Sequence, residues 1–305
     1  MFVRRLYLCG GGTNAVALGG AVGHLEEAGI LRFVKEWMGV SAGAMGAMCL
    51  ASGYTVTEMK RFWLEFDYQV VTDPDIATGW LMNMGYDTGN RVQRLLNAML
   101  KEKGHAETIT FEQLAAKTGY SLRVWATNMN KGLLEEFSDK KTPTYCVAHA
   151  VRASMTLPYY FQPFKCPVTG DTYLDGGVIT NYPLHYLTEE ERSDTLGIMI
   201  TYQPAPIPSM DLQDLMFSVG DQTASGVSGI LKYLTRPLSL FTQSRSHQDY
   251  AMFKEQTVNI QMASRSPVDF EMTTEQKLEL MGFGLKAAKT FLKGYRKPIR
   301  RYSVS

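Results

Sequence analysis

The chain of 305 residues has little cysteine and no pairing of it: Cys9, Cys49, Cys146 and Cys166 stand far apart, and no CxxC occurs. A disulfide framework and a Cys-rich zinc site are therefore not expected. Charge of one sign is missing too, with 31 Lys and Arg against 30 Asp and Glu and a net charge of +1. A nucleic-acid partner usually demands a basic surplus, and none is expected here. There is no G-x-x-x-x-G-K phosphate loop and no D-x-[DN]-x-[DN]-G calcium loop, so no cofactor or metal is called for. Internal repeats and low-complexity tracts are absent. No apolar run is clean enough to cross a bilayer. Trp37 to Thr57 is uncharged and long enough on paper, at about 20 residues. Yet Gly39, Gly43, Gly46 and Gly53 interrupt it, as in a buried strand, turn and helix. The N-terminus has Arg4 and Arg5 inside its apolar residues, which spoils a signal peptide. A soluble protein, cytoplasmic where it is synthesised, is the expectation.

What is present is enough apolar material for a large core. Hydrophobic residues make up 45% of the chain, which rules out disorder as the dominant state. Phe2–Cys9 predicts a short strand ended by three glycines. Val16, Leu18, Ala21, Val22, Leu25 and Ala28 then recur at helical spacing as far as Gly29. Phe33–Val40 reads as a second strand and Ser121–Asn128 as another, with a hairpin partner at Leu133–Phe137. Thr195–Tyr202 is nearly continuous in apolar character, as a strand covered on both faces would be. Thr257–Met262 predicts a later strand. Strands alternating with helices imply an α/β fold with a mainly parallel sheet. Three prolines in Pro204–Pro208 mark an internal boundary. The expected division is a core over residues 1–204 and a C-terminal extension over 205–305, packed on the same domain and ending in a basic tail.

Three elements carry chemistry. Gly10-Gly11-Gly12-Thr13-Asn14-Ala15 is a strand-to-helix turn whose backbone N–H groups can face an anion, beside the positive end of a helix. It fits an oxyanion hole built from Gly10, Gly11, Gly12 and Thr13. It also fits the dinucleotide fingerprint G-x-G-x-x-A, which wants an acid at the end of the second strand. Glu36 is the nearest acid, but it lies too early. Gly39-Val40-Ser41-Ala42-Gly43 offers a serine between small neighbours, at a turn into the small-residue helix Ala44–Met48. Tyr173-Leu174-Asp175-Gly176-Gly177-Val178, followed by Asn181-Tyr182-Pro183, offers a carboxylate framed by glycines. Each taken alone is also compatible with an ordinary glycine turn.

Together, and in this order, the three resemble the patatin-like phospholipase family. Ser41 and Asp175 stand 134 residues apart, and Ala150-Val-Arg-Ala-Ser154-Met-Thr-Leu-Pro158 between them is similar to a further segment of that family. The resemblance covers roughly residues 6–190. It implies a three-layer α/β/α fold and a lipid acyl hydrolase without a cofactor, with Ser41 as nucleophile and Asp175 as general base. Gly39, Gly43, Gly176 and Gly177 would support the two motifs. The family loop continues with Arg or Lys where this chain has Asn14, a departure expected to weaken oxyanion stabilisation or change how the loop is anchored.

Alternatives follow from the same residues. A Ser-Asp-His triad would need a histidine after the acid, and His185 and His247 qualify by position. A nucleotide-binding enzyme would use the first turn and leave Ser41 and Asp175 without a role. A catalytically inactive binding protein would keep the fold alone. The substrate implied is a phospholipid, lysophospholipid or other acyl lipid, met by peripheral and transient contact with a membrane surface. Thr274 is a candidate helix cap, with Leu278, Met281, Leu285, Ala288 and Leu292 forming the apolar face behind it. Lys286, Lys289, Lys293, Arg296, Lys297, Arg300 and Arg301 follow without an acid. They form either a solvated cationic face or a dock for anionic headgroups. Ile230–Leu234 and Leu238–Phe241, which flank Pro237, suit core packing or an acyl pocket.

Overall fold

Alternation of short apolar strands with helices does close into one central sheet. The computed structural model describes residues 2–74, 82–203, 227–263 and 265–295, with 227–239 as backbone only. Pro204–Pro208, the side chains of Ile230–Leu234 and Leu238, and the basic residues from Arg296 onward lie outside the described residues.

β1 (Arg5–Leu8), β2 (Glu36–Val40), β4 (Ser121–Asn128), β9 (Thr195–Gln203) and β10 (Thr257–Ala263) form the parallel part of the sheet. The spatial order is β10-β9-β1-β2-β4, continued by β8 (Thr172–Asp175) and β7 (Phe164–Lys165). On the β4 side the pairing turns antiparallel, through β5 (Leu133–Ser138), β8 and β7. A separate two-stranded ladder joins β3 (Gly85–Asp87) to β6 (Tyr159–Phe161). Flanking helices complete a three-layer α/β/α arrangement with a mainly parallel sheet.

β1 and β2 are shorter than the apolar patterns predict: β1 begins only at Arg5, and Ile30–Phe33 winds into a 3-10 turn ahead of β2. α1 (Val16–Glu27) runs between them and stops at Gly29, whose φ of 73° is the left-handed conformation of a helix end. α2 (Ala42–Ala51) is buried at every residue, which explains its run of Gly, Ala and Met. α3 (Val56–Glu65) starts on a capping box of Thr55 and Glu58. α4 (Asn90–Glu102), α5 (Phe111–Thr118), α6 (Val147–Ser154) and α7 (Glu189–Ser193) follow in the chain.

α8 (Val227–Phe253) and α9 (Thr274–Gly294) bracket β10. The cap of α9 is Thr273, not Thr274, with Gln276 closing its capping box. Its buried face is also rotated from the expected one. Leu278 is 55% exposed, while Lys277, Leu280, Met281, Gly284 and Ala288 face inward. The cause is backbone proximity to α1: a Cβ on Gly284 would strike the Ala17 carbonyl, and one on Gly20 the Met281 carbonyl. Lys277 reaches the interior because its ammonium donates to the Phe66 carbonyl at 2.6 Å and the Leu64 carbonyl at 3.3 Å.

At the N-terminal margin of the sheet Arg123 meets Glu36 at 2.6 Å and Glu191 at 2.8 Å, while Arg5 meets Glu36 at 2.8 Å and also pairs with Asp194. Glu36 is thus committed to two arginines at the start of β2, and does not serve a nucleotide at its end. Among the described residues no helix is long and apolar enough to cross a membrane.

Candidate active site

The three chemistry-bearing turns meet at the carboxyl end of the parallel strands. β1 ends at the glycine loop and β2 at Ser41, side by side, since Leu8 pairs with Gly39. β4 aligns the third: Trp125 pairs with Val40 on one side, and Ala126 with Asp175 on the other. The antiparallel direction of β8 therefore delivers its last residue to the ends of parallel strands.

Ser41 occupies a tight elbow, with φ 56° and ψ −131°, a region that residues with a Cβ avoid. Small neighbours are obligatory. A Cβ on Gly39 would collide with the Gly43 carbonyl, and one on Gly43 with the carbonyls of Leu8 and Cys9. The elbow is clamped from below: the Ser41 amide donates to Ser154 Oγ at 2.8 Å, and Ser154 Oγ–H donates to the Trp125 carbonyl at 2.6 Å. Ser154 is wholly buried. α2 begins at the next residue, so its positive end faces the serine hydroxyl.

Ser41 Oγ–H donates to Asp175 Oδ2 at 2.6 Å, and the Gly177 amide donates to Oδ1 at 2.7 Å. The backbone of Asp175 is pinned as well, its N–H to the Thr156 carbonyl at 2.7 Å and its C=O to Thr127 Oγ1 at 2.9 Å. Burial pushes the carboxyl of Asp175 up to about 6, against the lowering effect of Ser41 and Gly177. A Cβ on Gly176 would press on the Trp125 carbonyl at 2.6 Å, and one on Gly177 on the carboxamide of Asn181. Both glycines thus permit the close turn.

The glycine loop crosses directly over this pair. A Cβ on Gly10 would stand 2.9 Å from Ser41 Cβ and 2.5 Å from Asn181 Oδ1. Among the described residues the amides of Gly10, Gly11 and Gly12 have no acceptor. Thr13 is different: its amide donates to the Pro267 carbonyl at 2.9 Å. The expected donor set of Gly10, Gly11, Gly12 and Thr13 therefore shrinks to the three glycines, because the fourth amide is already engaged. Asn14 is 1% exposed, and its Nδ2 donates to Tyr202 OH at 3.1 Å and to the Arg265 carbonyl at 3.4 Å.

The histidines stand elsewhere. His185 packs on Tyr186 with ring centroids 4.4 Å apart, and His247 Nε2 lies 3.1 Å from the Tyr202 carbonyl. Among the described residues neither bonds to Ser41 or Asp175. Nor do these residues contain a cluster of three His, Cys, Asp or Glu suited to a metal. All four cysteines are free, and the thiol of Cys9 is pushed up to about 12 by burial.

Sequence reasoning missed Ser154, Asn181 and Pro267 as parts of this site. Ser154 and Asn181 lie in segments that stood out, but a hydroxyl under an amide leaves no periodic trace. Pro267 has no signal at all.

A Bacillus subtilis protein, the uncharacterized YqhO, is 27% identical over 93% of this chain and 96% of its own length. A probable lipid hydrolase, 463L of invertebrate iridescent virus 6, is 28% identical over 66% of this chain and 70% of that protein. Among solved structures, VipD from Legionella pneumophila superimposes with a TM-score of 0.59 at 17% identity, over 96% of this chain and 67% of VipD. ExoU in its heterodimeric complex with SpcU, from Pseudomonas aeruginosa, gives 0.53 at 19% identity, over 95% of this chain and 51% of that one. At such identities the two structures bear on the fold alone. The sequence pattern described as patatin-like phospholipase matches residues 6–188, more than half of the chain. The chain belongs to the patatin-like phospholipase family.

Proposed function

We propose that the protein is a serine lipid acyl hydrolase that cleaves fatty-acyl esters of phospholipids or lysophospholipids through an acyl-enzyme. The observation that carries this reading is the 2.6 Å hydrogen bond from Ser41 Oγ to Asp175 Oδ2, at an elbow roofed by glycine amides that have no acceptor among the described residues. Ser41 Oγ attacks the ester carbonyl while its proton passes to Asp175. The oxyanion accepts hydrogen bonds from amides of Gly10–Gly12, each worth about 3 kcal/mol in comparable sites. Collapse of the tetrahedral adduct breaks the ester bond, and the leaving alcohol takes the proton from Asp175. Water then gives its proton to the same carboxylate, attacks the acyl-enzyme and releases the fatty acid. Ser41 returns to its resting state.

Several features support the reading. A solution aspartate at about 3.9 is a weak base, and burial brings Asp175 closer to working pH. The family and the viral relative's name point to lipid hydrolysis. We treat residues 1–204 as the catalytic core and 205–305 as an extension of the same domain, and assign the substrate's approach to transient contact at a lipid surface. Ser41→Ala, assayed on phospholipid vesicles and with a fluorophosphonate probe, is expected to lose both hydrolysis and labelling while keeping the wild-type melting transition. Wild-type turnover in that variant would end the proposal.

A further inference from the structure

The glycine loop is held by a part of the chain that lies beyond the matched family region. Between β10 and α9, residues 265–267 run against it. The Pro267 carbonyl accepts from the Thr13 amide at 2.9 Å, and the Arg265 carbonyl from Asn14 Nδ2 at 3.4 Å. Gly12, at φ 56°, lies so close that a Cβ there would overlap the Pro267 carbonyl. Three residues further on, Phe270 stacks on Tyr160 with centroids 5.4 Å apart and planes at 26°. The strand and helix at either end of this segment are firmly seated, β10 on β9 and α9 on α1.

We propose that residues 265–267 form a strap that aims the glycine loop at the oxyanion position, with Asn14 as the positioning residue that locks it. A loop of three glycines has no side chains with which to fix its own amides. Its orientation must come from outside, and oxyanion donors are effective only when preorganised. Thr13 supplies one tether through its backbone. Asn14 supplies the second from a buried carboxamide that bridges Tyr202 on β9 and the strap. The replacement of the family's cation by Asn14 is thus matched by a neutral set of partners, two oxygen acceptors that a short carboxamide reaches without burying a charge. The C-terminal extension thereby completes the active site without touching substrate.

The inference rests on the proposed dyad and oxyanion loop, so the test separates the two. Asn14→Ala and Asn14→Ser are made in the full chain, with Ser41→Ala alongside. Asn14→Ser keeps a small neutral polar group, too short to bridge both acceptors, and serves if the alanine variant folds poorly. Amide hydrogen exchange of the peptide containing Thr13 should quicken by roughly tenfold or more, with the remaining core unchanged. For hydrolysis, kcat should fall by roughly 10- to 100-fold, the scale of a misplacement of about 1 Å, with KM within about twofold. Unchanged exchange at Thr13 overturns the strap. Faster exchange with wild-type kcat overturns its positioning role. Wild-type activity in Ser41→Ala overturns the dyad itself, and the catalytic role of the strap with it, whatever the exchange shows.

Discussion

Asp175 is where chemistry and stability oppose each other most directly. Its carboxyl titrates at about 6 in the folded protein against an ordinary 3.8. As the proposed base it must be ionised, so kcat/KM should rise with pH through an apparent value near 6 and level off above it. The folded state retains a proton between those two values that the unfolded chain has released. Stability from this group is therefore greatest at low pH and falls as pH climbs through the window, by roughly 3 kcal/mol when complete. Asp175→Asn should melt at a higher temperature than wild type above pH 6, with the gap closing toward about pH 4. Equal melting points at both ends would contradict the burial cost. Ser154→Ala tests the clamp beneath the elbow. It orphans the Ser41 amide and the Trp125 carbonyl, at about 1–3 kcal/mol for each buried group. Urea denaturation should show that loss together with reduced turnover.

Among the elements, the contact of α1 with α9 depends on two glycines that let the backbones touch. Gly284→Ala places a methyl group into the Ala17 carbonyl and should cost about 1–3 kcal/mol or more, as overpacking does. Gly282, two residues earlier on the same helix, has open space around its Cα. Gly282→Ala should instead stabilise by up to about 1 kcal/mol through helix propensity. Measuring the two by the same denaturation curve isolates close approach from propensity, and a loss in both would refute the packing account. The apolar spacing that pointed to Leu278 as a core residue failed here for a physical reason. Backbone contact through Gly20 and Gly284 fixes the rotation of α9, and periodicity read from large side chains alone is blind to it.

For the molecule as a whole, the two margins of the sheet have different tasks. The carboxyl end gathers the proposed catalytic groups, while the opposite end is fastened by Arg5, Glu36, Arg123, Glu191 and Asp194. Burial opposes the charge on Glu191, but Arg123 and the Thr188 amide outweigh it and bring the carboxyl down to about 2. That contribution is fully present above about 4.5 and lost as pH falls toward 2. Arg123→Ala leaves Glu36 buried without its closest partner and should cost about 3–5 kcal/mol. The pH profile of hydrolysis should keep its midpoint, because the network sits at the far end of β2 from Ser41. A shifted midpoint would mean that the two margins communicate. The five parallel strands of the central sheet, the elbow and the Asp-Gly-Gly turn were legible in the sequence because each is a local pattern of a few residues, whereas the short β3, β6 and β7 were not. The antiparallel entry of β8, the Ser154 clamp and the Pro267 contact were not. The last two join residues 113 and 254 positions apart by bonds that end on a backbone atom, which carries no residue-type signature.

The backbone angles of Ser41 have one more consequence. A dihedral pair of 56° and −131° suits glycine better than any residue with a side chain, at a difference of about 1–3 kcal/mol. Ser41→Gly should therefore yield a sturdier protein that hydrolyses nothing. A library of variants sorted for heat tolerance alone would drift toward glycine at this position, discarding the hydroxyl, and only a simultaneous demand for turnover would keep serine there.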